Sequence, residues 1–251
     1  MIDIMIHGSG GTMGKNLAAA IEEDDRVRAV CGIDIKKNGN EKFPVYSDPE
    51  ESKEHVDVIV DFSVAAAVDG IVDYAVKHRI PIVLCTTGLT GGQLDHLKNA
   101  SRTIPVLRSA NMSLGVNTII SLAVQAAKVL AAAGFDIEIV ERHHNNKLDA
   151  PSGTALAIAD AINAAFDDEY HYKMSRSERA EKRDKHEIGI QSVRGGGIVG
   201  EHEVLFCGAN EVVEIRHTAY SKGIFAKGAI EAALFLADKE PGMYTMADVI
   251  G

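Results

Sequence analysis

Met1-Ile-Asp-Ile-Met-Ile-His7-Gly8-Ser9-Gly10-Gly11-Thr12-Met13-Gly14 runs directly into Lys15-Asn-Leu-Ala-Ala-Ala-Ile-Glu-Glu23. Ile2 to His7 reads as a short strand and Lys15 to Glu23 as a helix, which leaves the glycines in the turn between them. Gly8, Gly11 and Gly14, with Gly10, suit a tight turn, a close backbone approach to a pyrophosphate, and a helix N-terminus that binds it. Gly8, Ser9, Gly10, Gly11, Thr12 and Met13 are therefore candidate cofactor-binding residues. A tight turn with no ligand is the bland alternative. The second strand weighs against it: Arg26-Val-Arg-Ala-Val-Cys-Gly-Ile-Asp34 ends in an acid twenty positions beyond Gly14, where a dinucleotide site needs a partner for ribose hydroxyls.

Asp34 favours NADH, whereas Lys36 and Lys37 can neutralise the extra phosphate of NADPH, so use of both cofactors is expected. Further along, strands at His55 to Asp61, Ile80 to Cys85 and Ile104 to Arg108 alternate with helices at about Val64 to His78 and Gly91 to Ala100. Such alternation implies an α/β fold, a Rossmann-type doubly wound parallel sheet. Ligands of such sheets sit at the carboxyl ends of the strands. Those ends carry Asp61-Phe62-Ser63, Cys85-Thr86-Thr87-Gly88 and Ser109-Ala110-Asn111-Met112.

With 251 residues, 46% hydrophobic and 25% charged, the chain can bury one large core or two modest ones. A net charge of -10 argues against a nucleic-acid partner. The N-terminal stretch has no basic region or cleavage site, and Cys31, Cys85 and Cys207 are scattered, as expected of a reduced, cytoplasmic protein. The long apolar stretch Ser113 to Phe135 contains Asn117, Gln125 and Lys128 and reads as a buried helix, with no membrane span expected.

The second chemistry-bearing stretch is Glu141-Arg-His143-His144-Asn-Asn-Lys147-Leu-Asp149-Ala-Pro151-Ser152-Gly153-Thr154-Ala155. Phe135 to Glu141 alternates like a half-buried strand, and Ala155 to Phe166 repeats like an amphipathic helix, so the stretch is a strand-to-helix loop. Pro151 suits a first helical turn, and Ser152 or Asp149 can cap it. The backbone NH groups of Ser152, Gly153 and Thr154 are then expected to point outward as an anion site. Lys147 adds a charge, and His143 or His144 can exchange a proton near neutrality. No metal site is expected, since successive strand residues face opposite ways and no further ligand stands at the right spacing.

Beyond this loop, a charged run from Lys173 to Lys185 reads as a solvated loop. Strands follow at His186 to Val193, Glu201 to Phe206 and Glu211 to His217. The second half is thus a C-terminal α+β domain, a mixed open sheet with helices on one face. A final helix spans Gly223 to Asp238. The expected domains are 1-111 with 222-251 for dinucleotide binding, and 112-221 for substrate binding and oligomerisation.

The run His-His-x-x-Lys-x-Asp-Ala-Pro-Ser-Gly-Thr-Ala from His143 to Ala155, with Arg194-Gly-Gly and Gly200-Glu-His, resembles the signature of the dihydrodipicolinate reductase family. The resemblance extends from the glycine turn to the last helix. It implies NAD(P)H-dependent reduction of a small cyclic dicarboxylate, 4-hydroxy-tetrahydrodipicolinate, with loss of water, in diaminopimelate and lysine biosynthesis. It also implies that His143 and Lys147 are catalytic and that His144, Ser152, Gly153, Thr154 and Lys222 hold substrate carboxylate. The three strand-end segments would line the nicotinamide half of the cofactor, and copies of the exposed sheet face would pair into a homotetramer. Arg194 and the Gly200 segment would support the substrate loop. The two domains would meet across a hinge near Asn111-Met112 and Ser221-Lys222. Two rivals are a semialdehyde dehydrogenase with a cysteine nucleophile and a regulator that binds NAD(P)H without turnover.

Overall fold

The computed structural model describes residues 1–36, 41–177 and 181–251, so Lys37 and the middle of the charged run lie outside the described residues. In chain order the elements are β1 (Ile2–His7), α1 (Thr12–Glu22), β2 (Val27–Ile33), β3 (Val45–Tyr46), β4 (Val58–Asp61), α2 (Ala65–His78), β5 (Ile82–Leu84), α3 (Gly91–Ala100), β6 (Pro105–Arg108), α4 (Leu114–Leu130), β7 (Asp136–His143), α5 (Gly153–Ala164), β8 (His171–Lys173), β9 (Glu187–Arg194), β10 (Gly200–Cys207), β11 (Val212–Ala219), α6 (Gly223–Leu236), β12 (Gly242–Tyr244) and α7 (Met246–Ile250). They fall into two compact units, Met1–Leu114 with Lys222–Gly251, and Gly115–Ser221.

The first unit is built on a seven-stranded sheet ordered β12-β6-β5-β4-β1-β2-β3, every pair parallel. Its strands are apolar on both faces because helices cover both. In β1, Ile4 and Ile6 join one core with α1 and α6, while Met5 points into the other with α2. α1 turns Leu17 and Ile21, one helical turn apart, onto the sheet. α3 starts on a capping box between Thr90 and Gln93. Register then fixes the ligand edge: His7 lies opposite Ile33 and Asp61, Asp61 opposite Leu84, and Leu84 opposite Arg108. The strand-end segments therefore finish side by side.

The second unit carries a five-stranded sheet ordered β11-β10-β7-β9-β8, with β7, β9 and β8 mutually parallel and β10 and β11 antiparallel to their neighbours. α4 and α5 cover one face. Ile119, Ala123 and Ala127 from α4, and Ile158, Ala159 and Ile162 from α5, close over Ile137, Ile139, Ile190, Val204 and Phe206. The opposite face is polar, with Arg142 ion-paired to Glu201 and Glu203 across β10, and Arg216 to Glu201.

Several boundaries move. The helix expected over Ser113 to Phe135 stops at Leu130, and the last helix ends at Leu236. β8 ends on Lys173, the first residue of the charged run that reads as a loop. β3, β8 and β12 are two or three residues long, too short to print a hydrophobic period.

Candidate active site

In the first unit the glycine turn is dictated by space. Gly8 has φ +81°, and a Cβ there would lie 2.7 Å from the Phe62 carbonyl oxygen; a Cβ on Gly14 would lie 2.2 Å from the Gly8 oxygen. Only glycine closes this turn against α1. α1 begins on Gly11 without any side-chain cap, so its leading NH groups face outward. The Asp34 carboxylate accepts from the Gly10 amide at 2.9 Å and from the Lys36 amide at 2.8 Å, tying the second strand end to the turn. Gly8, Gly10, Gly11, Asp34, Lys36 and Phe62 share the lining of a cavity of about 380 Å³. A glycine-lined cavity with an uncapped helix start and an acid at its edge fits a dinucleotide.

Not every predicted side chain faces that cavity. Ser9 is buried, its Oγ packed where a Gly32 Cβ would stand, so only its backbone is available to a ligand. Thr12 is exposed at the start of α1, and Met13 is half-buried behind it. Met112 is buried in the core, its carbonyl against Gly228 of α6. Cys85 is buried, while Thr87 and Gly88 are exposed beside it and Ala110 is exposed beyond β6. Ser109 donates its hydroxyl to the Asn111 carbonyl at 2.7 Å.

Asp61 is fully buried and spends its carboxylate on the protein. It receives His7 Nδ1 at 2.7 Å, the Thr86 hydroxyl at 2.6 Å and the Ser63 amide at 3.1 Å. Burial alone would raise its pKa, but the His7 hydrogen bond and charge, with Ser63 and Thr86, leave it lowered. Asp61 and Thr86 thus brace the edge through His7, which also lines the cavity and which the sequence reading missed. An apolar strand that ends in a histidine just before the first glycine was the available signal.

In the second unit, alternation along β7 turns Ile137, Ile139, Glu141 and His143 to the helix-covered face. His144, just beyond, is half-buried. Glu141 is fully buried and takes His143 Nδ1 at 2.6 Å, both terminal nitrogens of Arg194 at 2.7 Å, and the Ser152 amide at 3.1 Å. Burial would raise this carboxyl, but Arg194 first, then His143, Ser192 and the Ser152 amide, hold it at about 2.

Ser152 is the cap of α5: its Oγ accepts from the Ala155 amide at 3.1 Å and meets His202 Nε2 at 2.9 Å. Pro151 precedes the cap and is not in the first turn. The expected row of outward NH groups is corrected too, since the Ser152 amide is spent on Glu141. Asp149 sits where an anion was expected, its pKa lowered by Lys147, whose Nζ is 2.9 Å away, and further by the Gly153 amide. Burial, then the charge of His143, pushes His202 down to about 4. Its neutral ring meets His143 edge-on, ring centres 5.1 Å apart.

The structure thus gathers His143, Lys147, Ser152, Gly153 and Thr154 at one end of the second unit. Glu141, Arg194 and His202 join them without having been counted as site residues. Lys222 belongs to the first unit, exposed at the start of α6. Burial pushes the thiols of Cys31 and Cys85 up, Cys31 to about 11, which removes the support for a cysteine nucleophile. Among the described residues no three His, Cys, Asp or Glu side chains gather as a metal site, and no helix is long and apolar enough to cross a membrane.

Sequence models described as "Dihydrodipicolinate reductase, N-terminus" and "Dihydrodipicolinate reductase, C-terminus" match residues 2–112 and 115–250. The 4-hydroxy-tetrahydrodipicolinate reductase of Caldanaerobacter subterraneus subsp. tengcongensis is 51% identical over 250 residues, covering 100% of this chain and 98% of that protein. Its counterpart from Clostridium novyi is 41% identical, with the same coverage of both. Among solved structures, a dipicolinate-bound dihydrodipicolinate reductase from Paenisporosarcina sp. TG-14 superposes with a TM-score of 0.82 at 24% identity, over 98% of this chain and 97% of that one. A probable dehydrogenase from Thermotoga maritima shares the fold with a TM-score of 0.65 at 11% identity, over 99% and 92%.

Proposed function

The chain belongs to the dihydrodipicolinate reductase family and is an oxidoreductase of diaminopimelate and lysine biosynthesis; from that premise we propose how its residues carry the reaction. The observation that carries the reading is His143, backed by a sealed carboxylate and standing in one loop system with Lys147 and the start of α5.

When bound, the nicotinamide supplies a hydride to the cyclic imine-type dicarboxylate 4-hydroxy-tetrahydrodipicolinate. Gly8, Gly10, Gly11 and the start of α1 hold the pyrophosphate, and Asp34 meets the ribose hydroxyls. His143 is the principal proton donor and Lys147 the second. Between them they let the 4-hydroxyl leave as water, so that one hydride and one proton enter and tetrahydrodipicolinate is formed. His144, Gly153 and Thr154 receive a substrate carboxylate. Lys222 is proposed as a further cation for the substrate. Lys36 beside Asp34 supports use of both NADH and NADPH.

The protein is proposed to work in the cytoplasm as a homotetramer. The uncovered face of the five-stranded sheet, with Val193 and Val212 exposed on it, is the surface that copies would share, and light scattering measures that assembly directly.

The test is oxidation of NADH and NADPH followed by absorbance, with substrate generated in situ by a coupled synthase. We expect His143→Ala and Lys147→Ala each to lower kcat by about 10²- to 10⁴-fold while both still bind cofactor. Wild-type protein that binds cofactor and never oxidises it overturns the reading in favour of a sensor.

A further inference from the structure

We propose that Glu141 is the positioning residue of this site: clamped by Arg194, it holds His143 with Nδ1 protonated, so that Nε2 is the nitrogen that exchanges the proton. The inference rests on the reductase reading for the identity of the proton donor and on geometry for the rest. Glu141 is sealed from solvent, so it acts through the groups it binds. One oxygen accepts from Arg194 Nη2 and the Ser152 amide, the other from Arg194 Nη1 and His143. A carboxylate only accepts, and the two-pronged guanidinium keeps it a carboxylate, so the hydrogen between Glu141 and His143 must sit on Nδ1. That leaves Nε2, and the chain keeps room beside it: a Cβ on Gly200 would come within 3.1 Å of Nε2.

Alternation along β7 calls for an apolar residue at position 141, after Ile137 and Ile139. A buried acid there costs desolvation that an apolar side chain would avoid. Orienting His143 is the return on that cost. Arg194 extends the same control to the second proton donor. Its Nη2 also donates to the Asp149 carbonyl at 2.7 Å, and Asp149 holds Lys147. One guanidinium thus sets both proposed proton-transfer groups.

The experiment combines kinetics with histidine nitrogen NMR on the full chain labelled with ¹⁵N-histidine, His143 being assigned by the signal lost in His143→Ala. In Glu141→Gln the amide NH₂ competes for the ring nitrogen. We expect the neutral ring to move from the Nδ1-protonated towards the Nε2-protonated form, and kcat to fall about 10²- to 10⁴-fold. KM should stay within about threefold, because substrate contacts are intact. Glu141→Gln combined with His143→Ala should be no slower than His143→Ala alone.

An unchanged tautomer with kcat near wild type overturns the proposal, as does a further loss of about tenfold in the double variant. If Glu141→Gln does not fold, Arg194→Lys keeps the carboxylate but not the two-pronged clamp. A fall in kcat of more than about tenfold at constant KM then supports the proposal, and wild-type kcat overturns it. A wild type that never oxidises cofactor removes the reductase reading alone, since the tautomer still reports whether Glu141 orients the ring.

Discussion

The two compact units each bury one carboxylate against the Nδ1 of one histidine. They surround it differently. In the first, Asp61 takes His7 at 2.7 Å and, among the described residues, otherwise receives neutral donors, the Thr86 hydroxyl and the Ser63 amide. In the second, Glu141 takes His143 at 2.6 Å together with a complete guanidinium from Arg194. A carboxylate whose only cationic partner is a histidine ties its charge to that ring. One matched by arginine has its charge compensated from outside the ring. The first arrangement suits a brace, the second a proton donor that must cycle.

The largest effect that sharpens this contrast comes from removing the neutralising group on each side. Arg194→Met leaves a buried charge unmatched and should cost about 3 kcal/mol, whereas Thr86→Val removes one neutral donor and should cost about 1–2 kcal/mol. Urea denaturation compares them, and equal losses would mean that the two carboxylates are held alike.

Acid should separate the units next. His202 falls from the ordinary 6.5 to about 4, and burial lowers His217 as well, both in the second unit. A histidine whose folded pKa is depressed binds fewer protons than in the unfolded chain, so its contribution is whole above pH 6.5. It is lost as pH falls towards 4, at most roughly 3 kcal/mol for His202. Glu141 follows below pH 4.5, where its lowered pKa makes the folded state resist protonation down to about 2. Hydrogen exchange at pH 5 should therefore open residues of the second unit faster than those of the first, and His202→Gln should flatten the dependence between pH 6.5 and 4. Equal acceleration in both units would break the contrast.

The smallest effect concerns the cofactor end. Lys36 is exposed, so Lys36→Ala should lower kcat/KM for NADPH relative to NADH by only about two- to fivefold. A ratio that does not move would place the phosphate contact elsewhere.

The same two regions show what could be read from the chain. The glycine turn was legible because Gly8 and Gly14 stand where no Cβ fits, a constraint that acts on residue type directly. Asp34 was legible from its distance along the chain to that turn. The residues from His143 to Thr154 were legible as a cluster of charge, proton chemistry and a helix start. Glu141 was not, although it lies in plain view on the inward register of β7 after Ile137 and Ile139. An acid in an apolar register announces a partner but does not name it. Arg194 arrives from β9 and His202 from β10, and only strand pairing brings them there. Ser9, Met112 and Asp61 show the reverse: sequence placed them at the ligand edge, and packing turns their side chains into the protein.

Arg194 joins β9 to the inward side of β7 and to the carbonyl of Asp149, while Ser152 ties the same carboxylate to the head of α5 and to His202. In evolutionary terms Glu141, Arg194, Ser152 and His202 are expected to be inherited together. A change at any single one would strand its partners, so paired replacement is the expected mark of this clasp among relatives.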